Sequence, residues 1–132
     1  DREGGTFEEK LRRKIEAHFE ILKKNPKIPF LVINEITTNP ERIASLRDSI
    51  GELPLSVYAT FEQDLQKEIA QGRVRETNAL DLMFSALSLN LATFLVRPVL
   101  QNILGLTDEA MDGFLEHRKE ENVKIILQSL KP

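Results

Sequence analysis

The 132 residues carry a formal net charge of −3, with 30% charged and 41% hydrophobic residues and no cysteine. That balance belongs to a folded domain rather than a disordered chain, and the length fits a single domain spanning 1–132. It excludes disulfides, thiolate metal sites and a cysteine nucleophile, as in a reducing cytoplasm, and it leaves no overall basic field to hold nucleic acid.

The chain starts at Asp1 without a methionine, an apolar signal core or a retained targeting motif, and is read as a piece of a longer protein. The first helix is expected from Thr6, which with Glu9 makes a capping box. Phe7, Leu11, Ile15, His18, Phe19 and Leu22 recur at helical spacing as one buried stripe, and Asn25-Pro26 ends it. Asp1 to Lys27 holds eight basic and six acidic residues, either a face near DNA or a solvated helix laced with opposite charges. The segment Ile28 to Thr38 is read as a short buried helix, because its β-branched residues have no second strand to pair with. Asn39, Pro40 and Glu41 start a further helix carrying Ile43, Leu46 and Ile50 as far as Gly51. Leu53-Pro54 starts the next, with Val57, Phe61, Leu65 and Ile69 four residues apart and Gly72 just past its end.

Thr77 or Asn78 caps the most apolar stretch of the chain, Ala79 to Leu106. At about 100° per residue, Leu80, Met83, Phe84, Leu87, Leu91, Phe94 and Leu95 share one side, and Leu82, Ser85, Ala86, Leu89, Ala92, Thr93 and Val96 the other. A helix apolar all round is buried in a core, a membrane or an interface. A membrane span needs about 20 nearly uncharged residues, and Asp81 and Arg97 leave too few between them. The large aromatic face therefore suits an internal core or cavity, and the small-residue face a partner helix. Pro98 is expected to kink or break the helix, and Gly105 to end it. Thr107 caps the last helix, whose apolar ends (Met111, Phe114 and Leu115; Val123, Ile126, Leu127 and Leu130) flank a charged run from Glu116 to Glu121.

Catalytic chemistry has little to stand on. No HExxH, GxSxG, P-loop or GxGxxG occurs, and neither histidine belongs to a Glu-x-x-His pair, so no catalytic residue, metal site or cofactor is assigned. His18 reads as a hydrogen-bonded core histidine or a ligand contact, His117 as a solvated one. Asn34-Glu35, inside an apolar helix, either binds a ligand's polar group or ties down a neighbouring helix end. Arg97 either pairs with a carboxylate across an interface or reaches solvent.

Four segments in order, PFLVINEITTNPERI (29–43), GRVRETNALDLMFSALSL (72–89), FLVRPVL (94–100) and FLEHRKEENVKIILQSLKP (114–132), resemble the C-terminal regulatory domain of TetR-type transcriptional repressors. Where relatives often start the long helix with Asp-Pro, this chain has Thr77-Asn78, an equally good cap. The resemblance implies a non-enzymatic, all-α bundle of about six helices that encloses a cavity for a small hydrophobic effector and forms a homodimer through a four-helix bundle. It also implies that DNA is read only by a helix-turn-helix domain outside these residues, with no membrane involved. On that basis Ile33, Phe61, Leu65, Phe84, Leu87, Ser88 and Leu91 are candidate ligand-lining residues, with ordinary core packing as the alternative for each. Leu82, Ala86, Leu89, Thr93, Val96, Phe114, Ile126 and Leu130 are candidates for the two-fold interface. The alternative is a free-standing helical module that binds a protein or lipid without sensing.

Overall fold

The computed structural model describes residues 4–42 and 53–132. Among them lie five helices, α1 (Phe7–Lys24), α2 (Ile28–Thr38), α3 (Leu53–Ala70), α4 (Ala79–Leu104) and α5 (Asp108–Ser129), and no strand. The fold is all-α, as expected. Of the further helix expected from Pro40, only Glu41 and Arg42 are described; Ile43, Leu46, Ile50 and Gly51 lie outside the described residues.

The helix ends follow local chemistry. Thr6 Oγ1 accepts the Glu9 amide at 3.1 Å, Asn78 Oδ1 accepts that of Asp81 at 2.9 Å, and Thr107 Oγ1 accepts that of Ala110 at 3.1 Å. Each satisfies one of the amides that a helix start leaves without an intrahelical acceptor. Glu62 of α3 reaches across to accept the Ala79 amide at 2.7 Å, so the start of α4 is held from two sides. Past α3, Gly72 at φ +75° lets its own amide reach the Ile69 carbonyl and the Arg73 amide reach the Glu68 carbonyl. This left-handed closure strains a residue with a Cβ, which explains glycine there.

Helices α1, α4 and α5 pack on one another around two apolar clusters. One gathers Leu11, Ile15, Leu65, Val74, Ala79, Leu82, Val123, Ile126 and Leu130. The other gathers Phe19, Leu22, Phe94, Met111 and Leu115, with the Phe19 and Phe94 rings edge to face at 4.9 Å. Each large side chain withdrawn from water contributes about 1.5–3 kcal/mol. The expected stripe on α1 is the side buried here, and the two apolar ends of α5 seat in different clusters. Between them the charged run turns to α1: Lys119 meets Glu20 at 2.9 Å, Glu116 meets Lys23 at 2.8 Å and Glu120 meets Arg12 at 3.4 Å. The basic residues of α1 are thus partly neutralised within the fold, as in the solvated-helix reading.

Three expectations change. Helix α2 forms where expected but is not buried: only Pro29 is, while Phe30, Leu31, Val32, Ile33 and Ile36 are exposed among the described residues. With apolar residues on every side, α2 has no single stripe to seat. Its Glu35 pairs with Arg42 at 3.3 Å, which fits the reading that ties a helix end. Pro98 does not break α4, which continues to Leu104. Proline removes only the one amide that would reach back a turn, while its own carbonyl accepts from Asn102 Nδ2 at 2.7 Å.

The third change concerns the sides of α4. Leu82 and Thr93, placed on the partner-facing side, are buried within the chain, whereas Leu80 and Phe84, placed inward, are 65% and 71% exposed. Only Phe94 of the large aromatic residues on that side is fully buried. The physical reason is that α1 and α5 approach α4 along the Leu82, Asn90 and Thr93 side, where small and polar residues allow closer packing. By length and composition α4 would also suffice to cross a membrane. In this fold it packs against α1 and α5, and a third of its most apolar window is buried inside the chain.

Candidate functional site

A half-open cavity of about 460 Å³ lies between α1, α3 and α4. Leu11, Lys14, Ile15 and His18 line it from α1, Val57, Tyr58 and Phe61 from α3, and Leu82, Met83, Ala86, Leu87 and Asn90 from α4. Leu65 of α3 is not part of this lining and is fully buried in the core. Phe61 stacks on Phe7 at 5.7 Å, and Lys14 holds its ammonium 5.7 Å above the Phe61 ring, at the rim. Apart from Lys14, His18 and Asn90, the lining residues are aliphatic or aromatic. The volume falls within the range of pockets that hold small organic ligands.

The polar groups of the cavity belong to one hydrogen-bonded chain. Asn90, fully buried, donates from Nδ2 to the Ile15 carbonyl and to His18 Nδ1, each at 3.0 Å. Its Oδ1 accepts from Asn122 Nδ2 of α5 at 3.0 Å, and Asn122 Nδ2 also donates to Thr93 Oγ1 at 3.3 Å. Asn122 Oδ1 accepts from Arg118 Nε at 2.7 Å, and Thr93 in turn donates to the Leu89 carbonyl at 2.8 Å. This polar layer separates the two apolar clusters. Every buried amide group in it has a partner, which a low-dielectric interior demands. Burial pushes the His18 imidazole below its ordinary pKa.

The structure sorts the candidate residues differently from their sequence grouping. Of the seven candidates for a ligand site, Phe61 and Leu87 line this cavity. Leu65 lies in the core beneath, Ser88 and Leu91 are half-buried outside the cavity, and Ile33 and Phe84 are exposed away from it. Of the eight interface candidates, Leu82, Thr93, Ile126 and Leu130 are buried within the chain's own interior. Leu82 and Ala86 line the cavity. Leu89 and Phe114 are half-buried, and Val96 is 44% exposed. Sequence reasoning did not assign Leu11, Lys14, Ile15, Val57, Tyr58, Met83 or Asn90 to the cavity. One signal was present: His18 and Asn90 are both polar residues within apolar surroundings, and each is the other's hydrogen-bond partner.

A family model for the tetracyclin repressor-like C-terminal domain matches residues 8–126. The chain belongs to this family. No curated protein and no solved structure matches it. The match covers all five described helices of this TetR-like domain, and domains of this kind are regulatory rather than catalytic. No group of three or more histidine or acidic side chains able to hold a metal ion occurs among the described residues.

Proposed function

We propose that this TetR-like regulatory domain senses a small hydrophobic effector in the cavity between α1, α3 and α4 and holds a cytoplasmic repressor together as a homodimer. The observation that carries the reading is the cavity itself, apolar except for a few directed polar groups. It borders α1, the first helix of the domain, so an effector that prefers one position of α1 biases a helix-turn-helix segment preceding it in the parent protein. Such a ligand weakens operator binding only by its differential affinity for the two states.

The dimer contact is placed on the side of α4 next to α5. Ala92, Val96, Val99 and Ile103 share an exposed face of α4, and on α5 the half-buried Phe114 and the exposed Ile125 share one side. Of the original interface candidates, this proposal retains Leu89, Val96 and Phe114. Two such helix pairs bury one another as a four-helix bundle. The other reading, a free-standing protein- or lipid-binding module, draws on the exposed apolar residues of α2.

Native mass spectrometry of the purified domain tests the proposal, since it reports subunit number and co-purified ligand together. A dimer carrying a small organic adduct is expected. A monomer at micromolar concentration whose thermal midpoint no apolar compound raises would rule the proposal out.

A further inference from the structure

The polar chain behind the cavity has a direction that its ends impose. Arg118 Nε can only donate, so the Asn122 atom facing it at 2.7 Å is the amide oxygen. The Ile15 carbonyl can only accept, so the Asn90 atom at 3.0 Å is the amide nitrogen. With both amides oriented, Asn122 Nδ2 donates to Asn90 Oδ1, and the second hydrogen of Asn90 Nδ2 points at His18 Nδ1. That imidazole nitrogen must therefore accept. An imidazolium, or the tautomer with its hydrogen on Nδ1, would set one N–H against another. The remaining ring hydrogen then sits on Nε2.

His18 lines the cavity, and among the cavity-lining residues the other titratable groups are Lys14 of α1 and Tyr58 of α3; none is a carboxylate that could stabilise a charged imidazole. On the α5 side the hydrogen-bonded chain ends on a cation, Arg118, and not on a carboxylate. A neutral histidine that lines the cavity, with its one ring hydrogen held on Nε2, has a single N–H with which to meet an occupant. We propose that His18 determines the class of effector: an uncharged, largely apolar molecule with a hydrogen-bond acceptor, such as a carbonyl or ether oxygen, that takes the Nε2 hydrogen. The Asn90 and Asn122 amides act as positioning residues, since they hold the tautomer without touching the ligand. This inference rests on the cavity being the effector site.

Two measurements test it. Long-range ¹H–¹⁵N spectra of the imidazole rings are simple here because the chain has only two histidines. His18 is expected as the neutral Nε2–H tautomer at neutral pH. An Nδ1–H tautomer, or a ring carrying hydrogens on both nitrogens at neutral pH, would overturn the proposal. The second uses 2-acetylnaphthalene and 2-ethylnaphthalene, of nearly equal shape, in equilibrium dialysis against the wild type, His18→Phe and His18→Gln. Losing one hydrogen bond should cost the ketone about threefold to tenfold more affinity in His18→Phe than it costs the hydrocarbon. His18→Gln, which keeps an N–H donor, should recover part of the loss. Equal losses for both probes overturn the role of His18 alone. If neither probe binds any of the three proteins, the cavity is not an effector site and the underlying reading falls with it.

Discussion

Replacing Asn122 by leucine probes the polar layer that joins α4 to α5. The wild-type side chain is fully buried, donates to Asn90 Oδ1 and Thr93 Oγ1, and accepts from Arg118. In Asn122→Leu, Arg118 is half-exposed enough to find water and Thr93 keeps its bond to the Leu89 carbonyl, but Asn90 Oδ1 stays buried with no donor. Leaving that acceptor unsatisfied costs about 1–3 kcal/mol, and the lost hydrogen bonds add about 1 kcal/mol each. Burial of the leucine offsets about 1 kcal/mol. The net expectation is a loss of about 3–5 kcal/mol, or a midpoint lowered by roughly 10–25 °C for a domain of this size. Urea unfolding followed by circular dichroism, at one fixed protein concentration because a dimer's stability varies with it, gives the value. The double variant Asn90→Leu/Asn122→Leu removes both ends of the contact and should cost at least about 1 kcal/mol less than the sum of the single changes. A single cost below about 0.5 kcal/mol, or strict additivity, would refute the claim that these amides are mutually dependent.

Val96→Arg places a charge at an exposed site on α4, so the monomer should fold normally while multi-angle light scattering records half the mass; an unchanged dimer would move the interface elsewhere. Thr107→Ala removes the oxygen that accepts the Ala110 amide and should cost about 1 kcal/mol in denaturant unfolding, with Thr107→Ser near wild type. Acid should weaken the fold in two steps. Burial lowers the His18 pKa from 6.5, so the unfolded chain takes up that proton first; stability is complete above 6.5 and is lost as pH falls through the folded value. The hydrogen bonds from Arg73 hold Glu68 below the ordinary 4.5, so its contribution is present above 4.5 and is lost as pH falls through the lower value. His18→Phe should flatten the first step of a stability–pH curve and Glu68→Gln the second, each without altering the other.

The helices of this protein were largely legible in its residues. Thr6, Asn78 and Thr107 satisfy amides within three residues of themselves, and Gly72 adopts a backbone angle that other residues resist, so these boundaries depend only on near neighbours. The stripe on α1 was equally clear, because its charged flanks leave one apolar side. Helix α2, in contrast, looked buried from its composition and is exposed.

The clearest division lies in α4. Its apolarity marks a helix that others pack against, but hydrophobic attraction has no direction, so its thirteen leucine, phenylalanine and alanine residues do not say which side meets which neighbour. Only the packing of α1, α3 and α5 chose Leu82, Ala86 and Asn90 for the interior and left Phe84 outside. The same holds for the site. The sequence by itself determined an all-α domain with two polar residues, His18 and Asn90, in apolar settings. Their meeting, 72 positions apart along the chain, was decided by the tertiary structure, because a hydrogen bond between two helices depends on their separation and rotation. Neither quantity is encoded by local residue pattern.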